Sequence, residues 1–164
     1  MEKRETRFAS LSEDIVADIL EQEGIRFTYE ERLLIEDKYE NGSKKGRLLY
    51  PDFHLEEHGV MVEYAGQQIG EEDKRYQERI KWKKQIYKKM GLNVIFLDKN
   101  DLWDFNNLTL NGKPRPLINK RQNVLNKIYS KIISIKNRKK LRNAELDTKA
   151  SRDYKYADQV RFLD

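Results

Sequence analysis

Two short β-prone runs, each carrying one acidic residue, constrain this chain more than any other feature. Leu48-Leu49-Tyr50 leads through Pro51 to Asp52, and Val60-Met61-Val62 leads to Glu63. The segment Glu56-Glu57-His58-Gly59 between the runs has the composition of a turn. The pattern predicts a β-hairpin that holds Asp52 and Glu63 near each other, one on each strand.

A pair of neighbouring carboxylates in an apolar setting predicts a cation-binding site. Two negative charges placed close together repel each other unless a cation neutralises them. Mg²⁺ takes a few oxygen ligands from a protein and keeps water for its other positions. Asp52 and Glu63 are therefore candidate metal ligands, and the alternative is two exposed acids at strand ends.

The order of the elements around this pair indicates an α/β fold. Ser10-Leu11-Ser12-Glu13 has the spacing of a capping box and predicts the start of a helix. Alternation predicts a strand over 25–30, a long helix follows over about 71–90, and an apolar run over 92–97 predicts a buried strand. The order is helix, strand, strand, strand, helix, strand. It predicts a mixed central sheet of about four strands flanked by helices.

This order and its motifs resemble the PD-(D/E)xK nuclease superfamily. Within it, the chain is most similar to small nuclease domains that occur alone or attached to some DNA helicases. The resemblance covers about residues 8–97, within a core that we assign to residues 8–105. The motifs that carry it are Ser10-Leu11-Ser12-Glu13, Tyr50-Pro51-Asp52-Phe53, Glu63-Tyr64-Ala65-Gly66 and, on the long helix, Tyr76, Lys83 and Tyr87.

The resemblance implies a restriction-endonuclease-like core and a function. It implies hydrolysis of phosphodiester bonds in DNA with Mg²⁺ or Mn²⁺ as the cofactor. Asp52, Glu63 and the backbone carbonyl of Tyr64 would then bind the metal, and Glu13 would assist directly or through water. For Glu13 the geometry of a helix cap is a sufficient alternative explanation.

One position departs from the superfamily pattern. The superfamily motif has a Lys two residues after the Glu, and this chain has Ala65 at that position. Such a Lys stabilises charge that develops on the phosphate. The related domains carry a Lys on the following helix instead, and Lys83 matches it, with Gln67 as a second candidate. The alternative is a fold that has lost catalysis and binds DNA, or that serves as a structural subunit of a nucleic-acid-processing assembly.

Helical spacing places Lys83 among other candidates on the long helix. Side chains three or four residues apart share one face of a helix. Arg79 on this face is a candidate contact to nucleic acid, although most Lys and Arg of the helix are expected to be solvated. The residues that share the face are Tyr76, Arg79, Ile80, Lys83 and Tyr87.

A basic segment follows the core. Residues 117–142 hold nine Lys or Arg and no acid, so the rest of this chain of net charge +5 carries −4. A loop is predicted over 111–116, and no structure is assigned to 143–164. The pattern of residues 117–142 predicts a basic amphipathic helix, and its positive charge would attract the phosphate backbone of a nucleic acid. Its candidate contacts are Lys136, Arg138, Lys139 and Lys140.

The apolar stripe of this helix has a separate role. It is expected to pack on the core or to form a homodimer through residues 118–135, and a solvated charged helix is the plainest alternative. The residues of the stripe are Ile118, Leu125, Ile128, Ile132 and Ile135.

Length and composition exclude several classes of protein. A chain of 164 residues is long enough for one sizeable core and short for two. It contains no apolar stretch near 18 residues, no apolar secretion signal, no Cys and no phosphate-binding loop of the ATPase type. These features predict a cytoplasmic protein with no membrane contact, and DNA as its partner is what the resemblance and the basic segment imply.

Overall fold

The computed structural model describes residues 7–38, 44–66 and 74–160, and the side chains within 7–35, 46–66 and 74–146. The chain divides into two compact units, Met1–Ile128 and Tyr129–Asp164. The described strands all belong to the first unit, and the described residues of the second unit are helical.

The secondary structure follows the chain in a simple order. A 3₁₀ turn over Glu56–His58 links the fourth and fifth strands. The helices and strands are α1 (Leu11–Gln22), β1 (Thr28–Tyr29), β2 (Leu33–Lys38), β3 (Lys44–Leu49), β4 (Phe53–Leu55), β5 (Val60–Tyr64), α2 (Lys74–Lys89), β6 (Val94–Leu97), α3 (Lys99–Leu102), β7 (Trp103–Leu108), β8 (Pro114–Pro116) and α4 (Lys120–Val160).

The central sheet has four strands in the order β1-β4-β5-β6. Strand β5 pairs antiparallel with β4 and parallel with β6, so the sheet is mixed. The predicted α/β class and mixed four-stranded sheet are therefore confirmed. The predicted likeness of this core to restriction endonucleases stays a prediction.

The predicted hairpin is present as β4 and β5. Phe53 lies opposite Val62, and Leu55 lies opposite Val60. All four side chains are buried, as expected for strands covered on both faces. Gly59 closes the connection with a φ of +59°, a conformation in which glycine has no steric penalty.

The segment before the hairpin differs from the prediction in two ways. The strand predicted over 25–30 is reduced to Thr28 and Tyr29. Leu48 and Leu49 do not lead into the strand of Asp52, because they end β3, which pairs with β2 in a separate two-stranded sheet. The sequence did carry a signal for this second hairpin, since Asn41-Gly42 between two β-prone runs favours a tight turn.

The two-stranded sheet contributes to a buried cluster beside the site. Its residues Ile35 and Leu49 belong to one hydrophobic cluster with Met61 of β5 and with Ile86 and Tyr87 of α2. This cluster anchors the C-terminal half of α2 to the central sheet. The orientation of α2 therefore depends on a hairpin that the predicted element order lacked.

Helices α1 and α2 agree closely with the prediction. Ser10 caps α1, since its hydroxyl accepts a hydrogen bond from the Glu13 amide, and Val16, Ile19 and Leu20 are buried. Helix α2 ends at Lys89 and is described from Lys74, and the predicted helical residues 71–73 lie outside the described residues.

The C-terminal region is more ordered than predicted. The predicted loop over 111–116 contains strand β8, which pairs with β7. Helix α4 runs to Val160 and so includes most of the segment 143–164 that had no predicted structure. Ile118 precedes this helix and is fully exposed, so its predicted place on the apolar stripe is wrong. Among the described helices, none is long and apolar enough to cross a membrane.

Candidate active site

A cavity of about 600 Å³ opens where α1, the β4–β5 hairpin and α2 meet. Three acidic side chains, two basic side chains and two tyrosine rings lie in its wall beside smaller and apolar side chains. The residues that line it are Ala9, Ser10, Leu11, Ser12, Glu13, Asp52, Glu63, Tyr64, Gly66, Tyr76, Arg79, Ile80 and Lys83.

The β4–β5 hairpin brings Asp52 and Glu63 to this cavity. Asp52 directly precedes β4, and Glu63 lies in β5. The pairing of Phe53 with Val62 places the two acids on neighbouring strand segments. The backbone N–H of Tyr64 donates to Asp52 Oδ2 at 2.6 Å. This bond fixes the Asp52 carboxylate against the strand that carries Glu63.

Glu63 is an acid buried in the sheet and neutralised by helix α2. Only 2% of it is exposed. Lys83 Nζ donates to Glu63 Oε1 at 2.9 Å and to Oε2 at 2.7 Å. The hydroxyl of Tyr87, which is itself buried, also donates to Glu63 Oε1. A buried carboxylate needs such partners, because an unpaired charge in this setting is very costly.

Asp52 is partly buried in a negative local field. Removal from water raises the pKa of Asp52 to about 7, and the negative charges of Glu63 and Glu13 add to the rise. The hydrogen bond from the Tyr64 amide and the charge of Lys83 oppose it. A cation placed in the cavity would therefore hold this carboxylate in its ionised form.

Glu13 reaches the same cavity from the first turn of α1. The Ser10 hydroxyl donates to Glu13 Oε1 at 2.9 Å, and the Tyr29 hydroxyl donates to Oε2 at 2.6 Å. Tyr29 in turn accepts from the Ala9 amide at 3.2 Å. Burial and the hydrogen bond to Glu13 raise the pKa of Tyr29, which therefore stays a donor. The Glu13 carboxylate therefore binds the hydroxyl that caps α1 and also lines the cavity.

The face of α2 that was predicted from helical spacing does line the cavity. Tyr76, Arg79, Ile80 and Lys83 all belong to its wall. The Arg79 guanidinium lies over the Tyr76 ring, 5.3 Å from the ring centroid. An Arg held in this way offers several fixed N–H donors to a phosphate at the cavity mouth.

Gly66 ends the Glu-x-x-Gly motif and has a steric reason to be glycine. A Cβ atom at this position would overlap the Tyr64 ring and would lie 2.8 Å from the Lys99 backbone nitrogen. The Tyr64 side chain lies against Gly66, both residues line the cavity, and no larger residue fits at position 66 without moving backbone.

The structure brings together most of the predicted site residues. Glu13, Asp52, Glu63, Arg79 and Lys83 share the cavity. Gln67 lies outside the described residues. The predicted nucleic-acid contacts on α4, in the second unit, are exposed: Lys136, Arg138, Lys139 and Lys140.

Sequence reasoning missed two polar contacts of the site. Tyr29 was predicted only as part of a strand, and no spacing rule connects it with Glu13, sixteen residues away. Tyr87 was placed on the α2 face without a partner, although its spacing of four residues from Lys83 was a signal that both can reach one acid.

Two carboxylates of this cavity are the candidate ligands of an oxygen-binding cation. Among the residues that the structure describes, no group of three or more His, Asp or Glu side chains is gathered closely enough to hold a metal ion. Mg²⁺ does not require such a cage, since one or two carboxylates together with water and substrate phosphate are its usual ligands. Asp52 and Glu63 would supply those carboxylates, and Glu13, which lines the same cavity, would bind through water.

Comparison of the chain with known proteins found no relative. Protein-family models, curated proteins and solved structures were each compared with the chain, and none matches it.

Proposed function

We propose that this chain is an endonuclease that hydrolyses phosphodiester bonds in DNA with Mg²⁺ or Mn²⁺ as its cofactor. The observation that carries the proposal is the placement of partly buried Asp52 beside buried Glu63, with Lys83 donating to Glu63 from α2, all facing one cavity. Two acids and one Lys in this arrangement are the groups that metal-assisted hydrolysis of a phosphodiester needs.

Each side chain has a separate task in this proposal. The metal, when bound, supplies Lewis-acid stabilisation of phosphate charge and lowers the pKa of a water molecule. Asp52, Glu63 and the Tyr64 carbonyl hold it, and Glu13 contributes negative charge through water. Lys83 stabilises the charge that develops on the phosphate in the transition state.

The contacts in the wall of the cavity make these assignments specific. Glu63 cannot rotate freely, because the Tyr87 hydroxyl holds Oε1. Asp52 is held by the Tyr64 amide at 2.6 Å. Preorganised groups of this kind need little rearrangement when the reaction occurs, which is why such sites are effective. Arg79 at the wall is placed to orient the phosphate before cleavage.

A second function is favoured by one contact. The Lys83–Glu63 ion pair already neutralises the more buried acid, so this acid has a counterion that is not a metal. A protein that keeps the fold and binds DNA without cutting it would have this same pair. The absence of a Lys at position 65 agrees with that alternative.

One assay separates these two functions. Labelled DNA in several forms, namely single-stranded, blunt duplex, flapped and branched, is incubated with the protein in Mg²⁺, in Mn²⁺ and in chelator. Cleavage that requires the metal supports the nuclease. Binding to DNA without cleavage in either metal would support the binding protein instead.

The basic part of α4 gives a further prediction. Replacing Lys136, Arg138, Lys139 and Lys140 together by Gln is expected to weaken DNA binding and to flatten its dependence on salt. On duplex DNA, the slope of log K against log salt changes by about 0.9 for each phosphate that the protein no longer neutralises. Fluorescence anisotropy at four or five salt concentrations measures it.

The control for this variant keeps the same helix and the same number of changes. Replacing four exposed polar residues of α4 that carry no charge (Gln122, Asn126, Ser130 and Asn137) by Ala should leave the slope unchanged. If the basic variant and this control have equal slopes, these four basic residues do not contact DNA phosphates.

A further inference from the structure

In the proposed mechanism Lys83 acts on the phosphate, yet in the structure its ammonium makes a double hydrogen bond to Glu63. Lys83 Nζ lies 2.7 Å from one carboxylate oxygen and 2.9 Å from the other. An ammonium group in this position sits in front of the carboxylate, where a metal ion bound by both oxygens of Glu63 would lie. The two cations cannot occupy that place together, since like charges at such a separation repel strongly in a buried site.

The two partners of Glu63 differ in their freedom to move. Tyr87 is 1% exposed and belongs to the hydrophobic cluster under the sheet, so its hydroxyl is fixed. Lys83 has 19% of its side chain exposed and borders the open cavity. Its ammonium sits on a flexible four-carbon stem. Lys83 can therefore leave Glu63 while Tyr87 stays.

The hydrogen-bond pattern at Glu63 agrees with such an exchange. Oε1 accepts from both Lys83 and Tyr87, whereas Oε2 accepts from Lys83. When Lys83 leaves, Tyr87 still holds Oε1, and both lone pairs of Oε2 are free for a cation. The carboxylate keeps its orientation through the change and needs no rearrangement of the sheet.

We infer that Lys83 is an internal counterion that a divalent metal displaces from Glu63. Without metal, Lys83 neutralises the buried acid and keeps the site folded. When metal binds, the ammonium moves from Glu63 into the cavity, where it meets the phosphate of the substrate. Binding of the cofactor and delivery of the catalytic Lys are then one event. This inference rests on the metal site of the proposed function.

Metal-binding calorimetry without DNA tests the exchange. Lys83→Met keeps the length of the side chain and removes its charge, so Glu63 no longer has a competing cation. We expect the Kd for Mn²⁺ to fall by at least about tenfold, which corresponds to about 1.4 kcal/mol. Lys84→Met is the matched control, because the Lys84 ammonium lies over the Phe96 ring, 5.0 Å from its centroid, and its loss should leave the Kd unchanged.

A second measurement uses the unaltered protein, so it stands even if a variant does not fold. Limited reaction with an amine-specific acetylating reagent, read by mass spectrometry, reports how accessible each Lys is. Ca²⁺ or Mn²⁺ should increase the modification of Lys83 severalfold relative to chelator, and the modification of Lys84 should stay constant. Modification of Lys83 that does not change with metal would overturn the exchange.

The outcomes separate this inference from the proposed function. Equal Mn²⁺ affinity in the wild type and in Lys83→Met, with DNA cleavage intact in the wild type, overturns the exchange and leaves the nuclease standing. No metal binding in either protein overturns both. Tighter binding in Lys83→Met together with metal-dependent exposure of Lys83 supports the exchange, whether or not the protein cuts the DNA that is tested.

Discussion

Asp52→Asn is expected to abolish metal-dependent cleavage of DNA while leaving the protein folded. Asn keeps an oxygen that can accept the 2.6 Å hydrogen bond from the Tyr64 amide, so the hairpin should not change. What is lost is the negative charge that holds the metal in the proposed function. A metal ion supplies several kcal/mol of transition-state stabilisation. Since each 1.36 kcal/mol is tenfold, we expect a rate loss of at least about 1,000-fold.

Three measurements test this prediction. Single-turnover cleavage gives the rate, calorimetry gives the affinity for Mg²⁺ or Mn²⁺, and anisotropy gives the affinity for DNA. DNA binding should stay the same or become tighter, because a negative charge near the phosphate is removed. The control is Glu78→Gln, which neutralises an exposed acid on α2 and should behave as the wild type.

Glu63→Gln is the companion variant and is expected to be equally inactive for a second reason. It removes a metal ligand and also leaves the Lys83 ammonium without its carboxylate in a mostly buried place. Its melting temperature should therefore fall, whereas that of Asp52→Asn should not. Unchanged metal affinity in both variants would show that the metal site, if there is one, lies elsewhere.

Lys83→Ala is expected to reduce turnover on the order of 100- to 1,000-fold, the usual effect of removing one donor to transition-state charge. An ammonium that stabilises the transition state more than the bound substrate affects kcat rather than affinity for DNA. Lys84→Ala, one position further along the helix and directed at the Phe96 ring, should retain activity. Steady-state kinetics at saturating metal compares the two variants.

The stability of the Lys83→Ala variant must be measured as well as its activity. Removing one partner of a buried ion pair costs about 3 to 5 kcal/mol when the other charge stays buried. Here the Tyr87 hydroxyl still binds Glu63, which reduces that loss. Added Mn²⁺ should restore part of the melting temperature. Equal and small losses of turnover in Lys83→Ala and Lys84→Ala would reject Lys83 as the catalytic cation.

Short patterns in the sequence were enough to predict the local parts of the site. The Ser10 cap, the β4–β5 hairpin and the shared face of Tyr76, Arg79 and Lys83 follow from patterns a few residues long. Capping, turn chemistry and helical periodicity act between near neighbours in the chain, so a single sequence reveals them.

Which of these parts meet depends on packing between distant segments. Periodicity places Lys83 on one face of α2, yet it does not say which strand that face crosses. The answer depends on the cluster that Ile35 and Leu49 of the β2–β3 hairpin form with α2, and this hairpin was not predicted. The pairing of Lys83 with Glu63 rather than Asp52 therefore could not be derived from spacing.

The remaining differences have the same physical origin. Tyr29 reaches Glu13 only because β1 lies beside β4 at the edge of the sheet. Helix α4 continues to Val160 through a polar segment whose weak apolar pattern gave no basis for predicting a helix. Local sequence sets the preference of each segment, and tertiary packing sets how far an element extends and which side chains it brings into one site.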